Sequence, residues 1–418
     1  MLPLLPPQIF SMLSIIFLVA IIISFPLPIL LSFPGLDFFS LRLILLTLWL
    51  TLFIKKANFF ARHRTILIIS FSALTIFLSF SFLSHSLLIF YLFFEASLIP
   101  IFWIIITWGY QPERLLARLI IFFYTLASSF PLLALILILW WSSFSLMMYF
   151  AFRAVPIVST WVRLAAILAF LVKFPVYAAH IWLPKAHVEA PVAGSIILAG
   201  VLLKLGGYGL YRISIIFQIR IFSLIWAIVA SLGGGILGVY CCRATDIKII
   251  IAYSSVVHIS LIIVSLLLLR KVGLMGAWWV IIAHGVVSSG IFTIANLLYE
   301  RSHSRRMLVN KGYSRSGPSF TIFWFIIIII NFAGPFTLNL LGEIYLIIRV
   351  VSISNFIIIP VALLSFFSAA YSLLLFTSTQ HGVPQSCNIL SISPDKRELN
   401  LIFGHIWPVI LILLRLGI

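Results

Sequence analysis

The sequence predicts an all-α polytopic membrane protein of about thirteen transmembrane helices, arranged as two inverted five-helix repeats that each contain a discontinuous helix. Three observations carry this prediction. Of 418 residues, 63% are hydrophobic and 9% charged, with a mean hydropathy of +1.24; soluble domains run roughly 45–50% apolar and about 25% charged. Apolar runs long enough to cross a bilayer, which takes about 20 residues, follow one another along the chain. Two of those runs are broken by proline.

The runs fall at 9–31, 36–54, 65–83, 86–109, 118–141, 161–181, 190–211, 219–240, 247–269, 273–298, 319–348, 354–377 and 400–417. Basic residues test the count. Of the 27 lysines and arginines, sixteen fall in loops after even-numbered spans and nine on the other side. Lys173 and Lys204 are mid-span. This bias places the N-terminus and the even loops on the matrix or cytoplasmic side.

Pro175 follows Lys173 and Phe174 in the sixth run, removing a backbone donor and disfavouring α geometry at Phe174. Gly334-Pro335 interrupts the eleventh, and Gly342-Glu343 follows shortly after. Helix breaks at membrane depth survive only where protein buries them or a hydrated cavity meets them. Two breaks five spans apart predict inverted halves, as in transporters with repeated folds. The expected division is 1–85 for N-terminal helices, 86–211 and 219–377 for the repeats, and 378–418 for a loop and last helix.

Four ionisable residues lie deep inside apolar runs: Glu95, Lys173, Lys204 and Glu343. A charge at the bilayer centre costs at least ~2.5 kcal/mol, so such residues normally face a polar interior and carry function. Burial disfavours the charged form of Lys173, while a nearby carboxylate restores it. That balance lets a lysine load and release a proton, and Glu95 is the natural modulating partner. The bland alternative is a static Lys–Glu pair that joins two helices. Lys204, in Leu202-Leu203-Lys204-Leu205-Gly206-Gly207-Tyr208-Gly209, sits too deep to snorkel easily, and its glycines allow close backbone approach or bending. His258 and His284 fall mid-span in consecutive helices, where imidazoles suit a proton relay. His180, Lys185, His187 and Glu189 cluster between the sixth and seventh runs, either for proton entry or as helix caps. Asp246 and Lys248 open a helix that they are expected to cap.

Other classes are excluded. The net charge of +18 lies in loops rather than along a soluble face, so nucleic acid is not a partner. Cys241, Cys242 and Cys387 make no metal spacing. No dinucleotide fingerprint, P-loop, haem or iron–sulfur pattern occurs, so redox chemistry belongs on other chains. Met1, Leu2 and Pro3 enter an apolar run without a transit-peptide composition, which suits a chain encoded in an organelle.

The run Val172-Lys173-Phe174-Pro175, continuing through His180-Ile181-Trp182-Leu183-Pro184-Lys185-Ala186-His187-Val188-Glu189-Ala190-Pro191 to Lys204-Leu205-Gly206-Gly207-Tyr208-Gly209, resembles the proton-pumping antiporter-like subunits of respiratory complex I. Asp246-Ile247-Lys248 with Ala252-Tyr253-Ser254-Ser255 and His258, Ala283-His284-Gly285, Phe94-Glu95 with Pro100, and Gly342-Glu343 extend the resemblance over 90–345. It implies that Glu95 and Lys173 form the family's ion pair and that Lys204, His258 and His284 form its central hydrophilic axis. Glu343 stands at the second break, where most paralogues carry lysine. The resemblance also implies a mitochondrial inner-membrane subunit without cofactor or metal of its own. NADH, FMN, iron–sulfur clusters and ubiquinone belong to other subunits. The partners it implies are paralogous antiporter-like subunits on either side, accessory subunits and lipids such as cardiolipin. The family usually has fourteen spans, so its first helix is expected to be absent here, and the tail after about 380 is short. A cation/proton antiporter of the related multisubunit family, a purely structural scaffold and a plastid homologue remain as alternatives.

Overall fold

Serine and threonine, which are poor helix formers in water, are accommodated in these apolar segments by turning back onto their own helix. Ser70, Ser72, Thr75, Ser79 and Ser81 each donate to the carbonyl three residues earlier. The hydroxyl is thereby satisfied where a bilayer offers no water.

The computed structural model describes residues 38–57, 63–109, 112–143, 148, 160–217, 223–268, 271–352, 355–383 and 394–415. The predicted run at 9–31 lies outside them. In chain order the helices are α1 (Phe38–Ala57), α2 (Arg64–Leu83), α3 (Leu87–Ala96), α4 (Leu98–Trp108), α5 (Arg114–Ser143), α6 (Thr160–Lys173), α7 (Trp182–Glu189) and α8 (Val192–Ile197). A π-helical segment, Leu198–Leu202, joins α8 to α9 (Leu203–Phe217). There follow α10 (Ser223–Arg243), α11 (Ile247–Leu267), α12 (Lys271–Ser302), α13 (Tyr313–Ser316), α14 (Pro318–Asn331), α15 (Leu338–Val351), α16 (Ile358–Gln380) and α17 (Lys396–Arg415). Among the described residues, nine helical stretches are long and apolar enough to cross a membrane, and Leu164–Lys173 and Pro318–Asn331 are shorter apolar helices.

Burial sorts the spans into centre and periphery. The most apolar 18-residue stretches of the α8–α9 unit and of α12 are wholly buried and that of α11 nearly so, whereas only 33% of the corresponding stretch of α2 or α5 is covered. The central helices meet at glycines. A Cβ on Gly285 would come within 3.1 Å of the Gly200 carbonyl, and one on Gly276 within 2.8 Å of the Gly342 carbonyl. Backbones this close exclude larger side chains and bring α8–α9, α12 and α15 into one core.

Both predicted breaks are present, and a milder irregularity appears at Ser97. α6 ends at Lys173. Pro175 has no N–H, and Val176 instead reaches the Leu171 carbonyl at 3.0 Å. The run read as one segment at 319–348 is two half-helices, α14 and α15, because Ala333 and Phe336 take left-handed φ values of 58° and 59° around Gly334-Pro335. Thr337 caps α15 by accepting from Leu340 N at 3.3 Å, and Asn339 Nδ2 ties back to the Ile330 carbonyl at 2.8 Å. Thr337→Val, which deletes the cap, is expected to cost about 1 kcal/mol and to lower the thermal midpoint of the assembled protein, read by calorimetry. The milder irregularity at Ser97 lies between α3 and α4, where the backbone stays right-handed helical and Leu87–Trp108 remains one span.

Candidate functional site

Each buried lysine is met by a backbone carbonyl that an irregular helix leaves available. At Ser97 the hydroxyl donates to the Phe94 carbonyl at 2.8 Å, and the Lys173 ammonium donates to the same oxygen at 2.8 Å. The ammonium also lies 3.2 Å from the Phe94 ring centroid, where the ring face attracts a cation. Glu95 does not clasp Lys173 directly. Both its carboxyl oxygens are buried without a hydrogen-bond partner among the described residues. The nearby Ser129 hydroxyl donates instead to the Leu126 carbonyl at 3.1 Å. Glu95 and Lys173 therefore interact through space, which rules out a tight pair fixed by contact and leaves their coupling sensitive to small movements.

Lys204 repeats the arrangement at the π segment. Leu203 N–H bonds to the Leu198 carbonyl, five residues back, so the Ala199 carbonyl is released from the helical ladder. The Lys204 ammonium takes it at 2.6 Å and is 1% exposed. The glycines that follow serve as the sequence suggested: the backbone at Phe174 lies against Gly206, where a Cβ would come within 2.9 Å of Phe174 N. The Lys204 helix is thus docked on the break that presents Lys173.

The second break aims Glu343 inward. Its Oε1 lies 3.2 Å from His258 Nδ1, joining α15 to α11. On the other side of the ring, Tyr371 Oη on α16 is 3.5 Å from His258 Nε2. The His284 ring centroid is 5.1 Å from that of His258, and its two nitrogens are buried without a partner among the described residues. Lys204 and His258 are the neighbours whose electrostatics act on His284. Lys204, His284, His258 and Glu343 therefore form one buried succession across α9, α12, α11 and α15. Sequence reasoning missed Tyr371; the signal is the buried polar stripe Ser368, Tyr371 and Ser372 in the middle of α16.

The loop cluster divides. Lys185 is exposed, and Glu189 is 4% exposed with Oε2 unpartnered; both line a cavity of about 270 Å³ with Glu113, Tyr240 and Tyr253. Burial pushes the Glu189 carboxyl upward, Arg305 opposes that, Glu113 adds to it and Lys248 opposes it. His180 stacks on Tyr177 at 5.3 Å. His187 is fully buried and stacked face to face on Phe292 at 4.5 Å, so it does not share the cavity with Lys185. Asp246 precedes α11 but its side chain makes no capping bond; its segment is instead held by antiparallel backbone pairing with Arg306. Lys248 is buried and donates to the carbonyls of Val188 and Ala190 at 3.5 and 3.4 Å, clamping the end of α7. Among the described residues no cluster of His, Cys, Asp and Glu fits a metal ion.

A family model described as NADH:quinone oxidoreductase/Mrp antiporter, transmembrane, matches residues 84–368. The chain belongs to this family. Its curated relatives include NADH-ubiquinone oxidoreductase chain 4 of Ceratitis capitata, 44% identical over 390 residues that cover 92% of this chain and 87% of that one. The same-named protein of Locusta migratoria is 40% identical over 416 residues, 97% of this chain and 92% of the other. The fold is similar to a chain of respiratory complex I from Thermus thermophilus, with a TM-score of 0.84 at 23% identity, covering 97% and 91% of the two chains. It is also similar to a chain of the Mrp complex from a Dietzia species, with a TM-score of 0.80 at 18% identity, covering 98% and 90%. The matched range thus extends over both breaks and over Glu95, Lys173, Lys204, His258, His284 and Glu343.

Proposed function

We propose that this chain is a membrane-arm subunit of a respiratory NADH:ubiquinone oxidoreductase that moves protons across the mitochondrial inner membrane, while electron transfer occurs on other subunits. The carrying observation is the buried succession from Lys173, held at one helix break, through Lys204, His284 and His258 to Glu343 on the other. Isolated charges at this depth are costly unless they are used, and here each of the two lysines is poised on a single backbone carbonyl rather than locked in an ion pair. Glu95 acts as the modulator: bringing its carboxylate nearer to Lys173 raises the lysine's proton affinity, and withdrawing it lowers that affinity.

In this reading 86–211 and 219–377 are inverted repeats within a thirteen-span chain whose N-terminus faces the matrix. Protons enter beside Lys185 and Glu189, with His180 and His187 of the same segment as further members of the entry. Paralogous antiporter-like subunits flank the chain, with accessory subunits and cardiolipin around it. The chain holds no cofactor or metal, and NADH, FMN, iron–sulfur clusters and ubiquinone are bound elsewhere.

Lys173→Met in the intact complex, reconstituted in vesicles, is expected to lower the number of protons moved per NADH oxidised. An unchanged ratio in a fully assembled variant sinks the proposal. The likeness to the Mrp chain supports a second reading, a cation/proton antiporter module. Sodium-dependent proton movement without NADH oxidation would favour it.

A further inference from the structure

Beyond Lys204, α9 carries Tyr208 and then Arg212 at helical spacing, so the three stand one above another on the same face. Tyr208 and Arg212 lie towards the end of the span remote from the α7 segment. Tyr208 is buried, and its ring meets Phe82 and Trp278 edge-on at 5.4 and 6.5 Å, with Phe90 at 6.1 Å. Phe170 lies against Gly209 and 6.1 Å from Phe90. These five buried rings come from α2, α3, α6, α9 and α12 and make an apolar plate about one turn beyond the lysine.

A proton crosses such a plate only through an atom that can accept one proton and donate another. Trp278 Nε1 is a donor without acceptor capacity, so it relays nothing. The Tyr208 hydroxyl could relay, but its one donor and two acceptor positions are all taken. Arg212 donates to Oη twice, from Nε at 2.9 Å and from Nη2 at 2.8 Å. The hydroxyl in turn donates to the Phe82 carbonyl at 3.3 Å. Arginine releases no proton near neutrality, so neither of its N–H groups can pass one to the phenol. A fixed guanidinium also repels an approaching proton, as cations do in pores that exclude them. We propose that Arg212 seals the proton succession on this side: it closes the one hydroxyl in the plate, so that a proton on Lys204 leaves towards His284 rather than straight across the membrane. The seal rests on the proton role proposed for Lys204 and gives that role a direction.

Passive proton movement tests the seal without turnover. The intact complex is reconstituted in vesicles, a pH gradient is imposed with the membrane potential clamped and no NADH present, and decay of the gradient is followed with an entrapped pH dye. R212Q is expected to speed decay at least about tenfold, since one charge beside a low-dielectric path is worth more than a single factor of ten. Y208F, which removes the only hydroxyl, is expected to decay no faster than the unaltered complex, and R212Q/Y208F is expected to return to that rate. R212Q/K204M is expected to return to it as well. R212K serves if R212Q does not assemble: an ammonium gives one hydrogen to a given oxygen where the guanidinium gives two, so decay between those of R212Q and the unaltered complex is expected. Decay in R212Q or R212K as slow as in the unaltered complex overturns the seal. So does a leak that persists in R212Q/Y208F, which marks loosened packing, or one that persists in R212Q/K204M, which marks a path that bypasses the lysine. A tight R212Q beside a lowered proton ratio in Lys173→Met removes the seal and leaves the pumping role standing.

Discussion

Lys204→Met in the intact complex is expected to leave assembly in place and to cut coupled proton movement at least about tenfold, the effect of raising one step by ~1.4 kcal/mol. Both parts follow from how Lys204 is held. Its ammonium, 1% exposed, has the Ala199 carbonyl at 2.6 Å and, among the described residues, no carboxylate in ion-pair range. Burying an ion costs several kcal/mol, whereas leaving the Ala199 carbonyl unpaired costs about 1–3 kcal/mol. Methionine nearly matches lysine in length and is flexible enough to fill the space. The fold therefore loses little or gains. Transport loses the buried ammonium of α9 that acts on His284. Native electrophoresis reads assembly, and acidification of vesicles driven by NADH reads transport. A scaffold role predicts the reverse pattern, impaired assembly with normal pumping in whatever assembles, and that result would refute the proton role. Lys204→Arg is an informative companion, since it keeps the charge but cannot release it near neutrality.

The sequence announces the features whose cause is local. Pro175 and Gly334-Pro335 remove backbone donors and disfavour a continuous helix, so both interruptions are legible, although Pro131 and Pro408 are carried inside α5 and α17; ionisable residues in apolar runs announce themselves by their cost. The irregularities that receive the lysines are not legible. Nothing in Leu198-Ala199-Gly200-Val201-Leu202 encodes a π turn; it comes from packing, with Gly200 set against the Gly285 backbone. Likewise, the carbonyl under Lys173 belongs to Phe94, 79 residues away, and proximity over that range is a tertiary property. His187 illustrates the opposite error. It reads as a loop histidine beside Lys185, but α7 turns it onto Phe292, and a helix separates neighbours two residues apart onto different faces. Asp246 fails as a cap for a related reason. Residues 245–247 are paired through their backbone with the Arg305–Met307 strand-like stretch, at 2.9 and 3.0 Å, and that pairing fixes the entry to α11 without the side chain.

Gly206→Ala is expected to reduce the amount of assembled complex and to impair pumping in what remains, while Gly207→Ala, one residue on, is tolerated. The two glycines differ in what a methyl group would meet. At Gly207 the nearest atoms are the far edge of the Phe174 ring, at 3.3 and 3.4 Å, which can swing aside. At Gly206 they are Phe174 N and Cβ, both at 2.9 Å, and the Lys173 carbonyl carbon at 3.2 Å. Those atoms are the backbone of the break itself. Making room requires the break to move, and overpacking of this kind costs about 1–3 kcal/mol. The displacement also falls on Lys173, whose ammonium is placed by the 2.8 Å bond to Phe94 and by the ring beneath it. The through-space coupling to Glu95 shifts with it. Stability and transport should therefore fall together at Gly206, in contrast to Lys204→Met, where they separate. If Gly206→Ala assembled and pumped as well as Gly207→Ala, the break would be free to slide along α9. A fixed placement of Lys173 could then not be what tunes its proton affinity.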